Sequence, residues 1–158
     1  MTKALIEQEG IPIEIVSSGG TTDYSIVGAF PGITEVQAGG YLVMDSWKTR
    51  FASDFTPALT VLATVISKSA AGTIVVDAGI KAMSGSKGLP SVKGFPGLEV
   101  KKIYAEHSLV EMLEPAASLD VGDKIEIWVT YVDATISRYS QMCGVRGGLV
   151  ESVIKIEE

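Results

Sequence analysis

The stretch "IEIWVTYVDAT", residues 125–135, is the clearest structural signal in the sequence. Apolar and polar residues alternate along it, and successive side chains of a strand point to opposite faces of a sheet. The alternation predicts a strand from Lys124 to Asp133. One face of that strand would carry Ile125, Ile127, Val129, Tyr131 and Asp133. This row is apolar until it ends in a phenol and a carboxylate, which raises the question of what the acidic group does there.

Short strands separated by Gly, Pro, Ser and Asp are predicted along the rest of the chain from residue 33 onward. Val121-Gly122-Asp123 indicates a turn, Gly147-Gly148 indicates a hairpin turn, and 79–97 is predicted to be a long ordered loop. Many strands with little helix are typical of a β-sandwich or a β-barrel, so we expect a mainly β fold. The other predicted strands are Thr34–Met44, Ala58–Ser67, Thr73–Ala78, Glu99–Glu106, Gln141–Val145 and Leu149–Ile156.

Residues 1–31 show a different pattern. Leu5 to Glu9 indicate the end of a helix, with Gly10 as its stop, and Ile11–Val16 is a short apolar run that predicts a buried strand. A Gly-rich loop and a short helix follow, as in one βα unit of an α/β fold. A single unit of this kind cannot bury both of its own faces, so it needs neighbours.

Composition argues against several classes of function. The chain has 158 residues, a formal net charge of −6 and no basic cluster, which argues against nucleic acid binding. The longest uncharged apolar run, Phe55 to Ser67, is shorter than the roughly 20 residues that a membrane helix needs, and no signal peptide is visible. The single cysteine, Cys143, cannot form an intrachain disulfide; it favours a cytoplasmic setting and is predicted to be buried and inert. An apolar fraction of 46% then favours a surface that contacts another chain.

Seven segments, in this order, resemble the C-terminal part of the D-threonine aldolase and D-serine dehydratase family. They cover almost the whole chain, although no single segment is diagnostic. The segments are "IPIEIVSSGGTTDY" (11–24), "PGITEVQAGGYLVMD" (31–45), "ALTVLATVISK" (58–68), "IVVDAGIKAMSGSKGLP" (74–90), "PGLEVKKIYAEHS" (96–108), "LDVGDKIEI" (119–127) and "VRGGLVESV" (145–153).

The resemblance implies an architecture and an activity. Members of this family are fold-type III pyridoxal-phosphate lyases that also use a divalent metal, zinc or manganese, and act on D-3-hydroxy-amino acids. They have an N-terminal (β/α)8 barrel with the cofactor lysine, followed by a β-rich domain. Residues 1–31 then correspond to the last βα unit of the barrel, and 32–158 to the β-rich C-terminal domain. The segment with the Schiff-base lysine has no counterpart here, so we expect no catalysis by this chain alone. A fragment, a natural truncation and a subunit of a split enzyme all fit.

The Gly-rich loop of Ser18, Gly19, Gly20 and Thr21 is the candidate phosphate-binding element. Glycines let backbone N–H groups approach a phosphate, and the start of a helix adds a favourable dipole. The family uses the matching loop to hold pyridoxal phosphate. The alternative, from the residues alone, is that the loop is only a turn.

Asp133 and Tyr131 are the candidate metal positions. The resemblance places a metal-binding pair two residues apart on this strand, usually His-x-Cys or His-x-Asp. Asp133 falls on the second position, whereas Tyr131 stands where the family has histidine. A neutral phenol is a poor ligand for zinc or manganese. The alternative is that Asp133 simply ends the strand or caps the next turn.

His107, the only histidine, lies in "YAEHS", which matches a histidine segment of the family. It is the candidate proton carrier or surrogate metal ligand near Asp133. The alternative is an ordinary hydrogen-bonded histidine. A function of another class also remains open: a non-catalytic interaction module that forms a homodimer or pairs with a partner barrel.

Overall fold

Strands dominate the described chain. In this computed structural model, residues 2–69, 72–113 and 119–157 are described. The helices are α1 Thr2–Gln8, α2 Tyr24–Gly28 and α3 Val132–Ile136, and two short 3-10 helices span Gly40–Leu42 and Lys48–Arg50. The strands are β1 Ser17–Ser18, β2 Glu35–Val36, β3 Thr60–Lys68, β4 Thr73–Val76, β5 Ser91–Val92, β6 Leu98–Ile103, β7 Ser108–Met112, β8 Lys124–Trp128, β9 Gln141–Arg146 and β10 Leu149–Lys155. None of the described helices is long and apolar enough to cross a membrane.

Six of the strands close into an antiparallel barrel in the order β3-β4-β7-β6-β5-β8. Closure occurs where β8 pairs with β3, with Thr60 opposite Trp128 and Thr64 opposite Lys124. The sequence left sandwich and barrel open, and this pairing decides for the barrel. A closed barrel also removes the unpaired strand edges that would otherwise be exposed to other chains.

The barrel interior is filled by the inward face of each strand. In β8 and the residues after it, Ile125, Ile127 and Val129 are each at most 2% exposed, as the alternation predicted. They join a core of small and branched side chains that fits the narrow interior of a six-stranded barrel. The core comprises Val61, Ala63, Val65, Ile74, Val76, Ala78, Met83, Val92, Leu98, Val100, Val110, Leu119, Ile125, Ile127, Val129 and Val132.

The strand predicted for 124–133 is too long. β8 ends at Trp128, and α3 begins at Val132. Val132 and Thr135, one helical turn apart, are both buried, so the burial period changes from two to three in this segment. The Thr135 hydroxyl donates to the Tyr131 carbonyl (2.8 Å), which stabilises the turn. Asp133 therefore lies on the first turn of a helix and not at the end of a strand.

Other strand predictions also failed. Thr34–Met44 contains only the two-residue β2 followed by the 3-10 helix Gly40–Leu42, because Gly39 and Gly40 start a tight turn. Ile11–Val16 is not a strand, and none of its residues is buried. A buried strand needs partners on both sides, and β1 pairs only with β2 across two residues. β5 and β7 were missed, since β5 is short and β7 directly follows a turn.

The N-terminal segment packs little of its apolar surface. α1 and α2 bury no residue. The parallel β1–β2 pair with α2 between its strands has a βαβ connection. The strand predicted for the βα unit does not form at Ile11–Val16; β1 lies at Ser17–Ser18, inside the predicted loop. Large apolar side chains remain exposed along the segment: Leu5, Ile11, Ile15, Ile26 and Phe30.

β9 and β10 form a separate hairpin outside the barrel. Gly147 and Gly148 both have positive φ, 57° and 79°, which suits the predicted two-residue hairpin turn. Every residue of β10 is exposed, and the apolar side chains of the hairpin point to solvent. The prediction that Cys143 is buried is wrong: its strand has no layer packed against it, and the thiol is exposed.

Candidate functional site

A buried carboxylate, Asp45, organises the corner where the chain leaves β8 and enters α3. Its side chain is fully buried. Asp45 Oδ2 accepts the backbone N–H of Val132 (3.1 Å), the first residue of α3. Its Oδ1 accepts the backbone N–H of Lys48 (2.7 Å), the first residue of the second 3-10 helix. One carboxylate therefore caps two short helices that are distant in sequence, which is a favourable use of a negative charge at helix starts.

The ammonium of Lys48 lies between two carboxylates. Its Nζ is 3.0 Å from Asp45 Oδ2 and 3.1 Å from Asp133 Oδ2. The Lys48 side chain is only 13% exposed, whereas that of Asp133 is 63% exposed. Asp45 is thus the buried partner and Asp133 the solvent-facing one.

A glycine leaves the space that Lys48 occupies. A Cβ placed on Gly40 would lie 3.1–3.2 Å from Cε, Cδ and Nζ of Lys48. Such distances are tighter than ordinary van der Waals contact, so a side chain at position 40 would push the end of Lys48 away. The 3-10 helix Gly40–Leu42 therefore borders the Lys48 ammonium on one side.

The surroundings of Lys48 favour its charged form. Burial by itself would lower the pKa of this amine, but the hydrogen bonds to Asp45 and Asp133 outweigh burial and raise the pKa above its ordinary value. Lys48 is therefore a permanent cation at neutral pH.

Aromatic rings and a second lysine border the same cluster. Lys48 Nζ is 5.5 Å from the centroid of the Tyr131 ring. Lys87 Nζ is 5.6 Å from that ring and 4.5 Å from the ring of Trp47. Ammonium groups at such distances are attracted to the negative faces of aromatic rings. Tyr131 therefore stands between two cations, a setting that repels a further positive ion.

The donor set around Asp133 does not fit a divalent metal. The two positions that the resemblance assigns to metal ligands are a phenol and a carboxylate that already accepts an ammonium. No group of three or more His, Cys, Asp or Glu side chains capable of holding a metal occurs within residues 2–69, 72–113 and 119–157. Zinc and manganese sites are ordinarily built from imidazole, carboxylate or thiolate ligands.

The loop of Ser18, Gly19, Gly20 and Thr21 lies between the end of β1 and α2, although the strand predicted before it, Ile11–Val16, does not form. Gly19 has φ +76°, and a Cβ there would lie 3.0 Å from Val27 of α2, so glycine is required. A Cβ on Gly20 would meet no atom within 4 Å. The loop therefore has an open glycine face, which suits the approach of a phosphate.

One of the loop's donors is already used. The backbone N–H of Gly20 donates to Asp23 Oδ1 (2.7 Å). A phosphate at Gly20 would have to displace this carboxylate. The loop thus fits a phosphate in shape, but Asp23 opposes it in charge.

The loop and the lysine cluster are joined through one short segment. Thr21 is 5% exposed, and its Oγ1 accepts the backbone N–H of Tyr41 (3.1 Å). Tyr41 follows Gly40, the residue that makes room for Lys48. The candidate phosphate loop therefore bonds to Tyr41, and the preceding residue, Gly40, borders the lysine that pairs with Asp133.

His107 is placed by the turn between β6 and β7, and not by the segments around Lys48. It is exposed in the turn between β6 and β7, where its carbonyl accepts the N–H of Tyr104 (2.7 Å). That turn packs closely on Gly79. Among the described residues, no hydrogen bond or ion pair joins His107 to Tyr131 or Asp133. A role for His107 in proton transfer remains a prediction.

Sequence reasoning missed Lys48, Lys87 and the organising role of Asp45. The available signal was "MDSWK", in which an acidic residue precedes a lysine by three positions, a spacing that brings both onto one side of a helical turn.

Comparison with known proteins agrees with the fold. The family described as "Putative serine dehydratase domain" matches residues 58–145. The D-threonine aldolase of Arthrobacter sp is 34% identical over 158 residues, which span 96% of this chain and 41% of that enzyme. Among solved structures, the D-threonine aldolase of Filomicrobium marinum has a TM-score of 0.91 and 30% identity, over 98% of this chain and 44% of that one.

A dehydratase has the same fold in this region. D-threo-3-hydroxyaspartate dehydratase from Delftia sp. HT23 has a TM-score of 0.80 and 27% identity, over 98% of this chain and 47% of that one. The chain therefore spans less than half the length of each of these aldolase and dehydratase relatives. The family match covers all six barrel strands and continues through α3 into the hairpin, so this chain belongs to the serine dehydratase domain family and corresponds to the C-terminal part of its aldolase and dehydratase relatives.

Proposed function

We propose that the chain is the C-terminal domain of a pyridoxal-phosphate-dependent lyase that acts on D-3-hydroxy-amino acids, by aldol cleavage or dehydration. Under this proposal, residues 1–31 are the last βα unit of the cofactor-binding barrel, and 32–158 are the β-rich domain that follows it. The relatives that support it are described as D-threonine aldolase, 3-hydroxy-D-aspartate aldolase and D-threo-3-hydroxyaspartate dehydratase.

One observation carries the proposal: the hydrogen bond from Tyr41 N–H to Thr21 Oγ1. It connects the Gly-rich loop to the segment that borders Lys48. A phosphate held at Gly20 and a substrate near Lys48 would therefore bind to two segments that this hydrogen bond joins. Ser18 would contribute a hydroxyl group at the loop and Gly20 its open face, while the buried Thr21 hydroxyl holds the loop to Tyr41.

Catalysis would need residues that this chain does not contribute. When bound, the cofactor supplies the electron sink for breaking bonds next to the amino-acid carbon. The loop would hold the phosphate, and Lys48 would present a positive charge toward a substrate oxygen. The lysine that carries the cofactor belongs, by resemblance, to the barrel. We therefore propose that the 158-residue chain is inactive by itself.

Reconstitution tests this function. The chain would be fused to the N-terminal part of the Arthrobacter aldolase that it does not match, and assayed with D-threonine and D-threo-3-hydroxyaspartate. We expect turnover by the fusion and none by the chain alone. Gly20→Asp should abolish cofactor absorbance in the fusion, because the new carboxylate fills the phosphate's space and repels it.

A matched variant controls for folding. Gly39→Asp adds the same side chain at another glycine with open space and negative φ, so we expect the cofactor to remain bound. Turnover by the 158-residue chain alone would contradict the proposed inactivity. A folded fusion that binds the cofactor but turns over neither substrate would contradict the proposed activity.

A second candidate is a non-catalytic interaction module. The exposed apolar side chains of the β9–β10 hairpin support it, including Leu149 at 73% and Val150 at 61% exposure. Such a surface suits a homodimer contact or a partner barrel. Size-exclusion chromatography with light scattering tests it. We expect a dimer that dissociates on Leu149→Lys, and a monomer at all concentrations would count against self-association.

A further inference from the structure

The positive charge between the carboxylates of Asp45 and Asp133 is a side chain of the protein, that of Lys48. The ammonium of Lys48 is 3.0 Å from the first carboxylate and 3.1 Å from the second. It also lies 5.5 Å from the ring of Tyr131. It is therefore bordered by both of the positions that the resemblance assigns to a divalent metal.

We propose that Lys48 is the resident cation of this site and that it excludes divalent metals from Asp133. The positive charge that the site offers to a ligand is then an ammonium and not a metal ion. The proposal concerns only what occupies the site, so it holds whether or not the chain is part of a lyase.

Geometry supports exclusion. A metal bound to a carboxylate oxygen lies about 2.0–2.2 Å from it. One carboxylate oxygen of Asp133, Oδ2, already accepts the Lys48 ammonium at 3.1 Å. A divalent ion on this oxygen would lie within a few ångströms of a positive nitrogen, and like charges at that distance repel strongly.

Lys48 is also held so that it cannot readily leave. Its backbone N–H and its ammonium both bond to Asp45, which is itself fixed by the N–H of Val132. Gly40 forms a wall that fits the end of the side chain. An ammonium has three donors, of which these carboxylates accept two, so one N–H remains for a ligand oxygen.

Titration calorimetry with manganese and with zinc tests the proposal on the 158-residue chain. We expect no saturable binding to wild type that depends on Asp133. The double variant Tyr131→His/Lys48→Met supplies an imidazole and frees the carboxylate. We expect it to bind manganese at least about tenfold tighter than wild type, since single changes around metal ligands shift affinity by about 10–100-fold. Adding Asp133→Asn to this double variant should remove the gain.

Lys87 provides the matched control. It lies 5.6 Å from the Tyr131 ring, close to the 5.5 Å of Lys48, but it has no ion pair with Asp133 among the described residues. Tyr131→His/Lys87→Met therefore removes the same charge without freeing the carboxylate, and we expect no comparable gain. Circular dichroism checks that each variant is folded.

Two results would overturn the proposal. One is tight manganese or zinc binding by wild type that is lost in Asp133→Asn, because the metal would then coexist with Lys48. The other is a folded Tyr131→His/Lys48→Met variant that binds no tighter than wild type or than the Lys87 control, because Lys48 would then not be the obstacle. The first result needs no double variant, so the proposal can still be refuted if the double variant does not fold.

Discussion

Asp45→Asn should destabilise the protein strongly, although it only replaces one carboxylate oxygen by an amide NH2 group and removes the negative charge. Asp45 is fully buried and accepts three hydrogen bonds: from Lys48 N–H (2.7 Å), from Lys48 Nζ (3.0 Å) and from Val132 N–H (3.1 Å). In one orientation of the asparagine, its amide NH2 faces the donors on Lys48 Nζ and Val132. In the other, it faces the Lys48 backbone N–H. Either orientation leaves a donor against a donor.

The size of the effect follows from the bonds that are lost. Hydrogen bonds to charged groups contribute about 1.5–3 kcal/mol each, and breaking one side of a buried ion pair costs about 3–5 kcal/mol. Lys48 keeps Asp133 and remains slightly exposed, so the lower end applies. We expect a loss of about 3 kcal/mol, or about 1.5 M in the urea midpoint at a slope of about 2 kcal/mol/M.

Asp133→Asn is the control for Asp45→Asn. Asp133 bonds to the same ammonium, but its side chain is 63% exposed. Exposed ion pairs contribute about 0–1 kcal/mol, so this variant should unfold close to wild type. Urea unfolding followed by circular dichroism measures both. If Asp45→Asn stays within about 0.5 kcal/mol of wild type, or if Asp133→Asn costs as much as Asp45→Asn, the assignment of Asp45 as the anchor is refuted.

Three further variants probe the fold. Ile127→Ala empties a fully buried position in the barrel and should cost about 2–5 kcal/mol in urea unfolding; a cost below about 1 kcal/mol would show that the barrel interior is not packed there. Gly19→Ala should cost about 1–2 kcal/mol, because φ is +76° and the new Cβ would lie 3.0 Å from a valine of α2; no change in the thermal midpoint would argue against this loop conformation. Asp77→Asn tests the pH dependence of stability: Thr64 N–H donates to the Asp77 carboxylate (2.6 Å) and lowers its pKa below the ordinary 3.8. Its contribution is therefore present above that value and is lost as pH falls through the lower pKa. Asp77→Asn should be less stable than wild type near neutral pH, and the difference should disappear in strong acid; an equal difference at both pH values would contradict this.

The local sequence pattern was enough to predict the main β-strands. The rows around Ile125 and Ile127 and along β3 have the two-residue period that any half-buried strand requires. The hairpin turn at Gly147-Gly148 was also predictable, because two consecutive positive-φ positions strongly favour glycine. The Gly-rich loop before α2 was located from its adjacent glycines, of which Gly19 has a positive φ.

The failures share a cause. β8 was predicted to continue to Asp133 because the alternation continues, but Asp45, far away in sequence, caps a helix there instead. The run Ile11–Val16 has the composition of a buried strand, yet no described element covers it. Composition indicates whether a segment has apolar side chains to bury, but not which other segments pack against it.

The sequence by itself determined the mainly β character, the start of β8 and the resemblance to the lyase family, because strand periodicity, turn residues and motif order are local properties. Only the tertiary structure decided that the strands close into a barrel and that Lys48 joins Asp45 to Asp133. Those outcomes depend on contacts between residues that are far apart in the chain, such as the 85 positions that separate Lys48 from Asp133. No local sequence pattern predicts such a contact, because the two residues come together only when the chain folds.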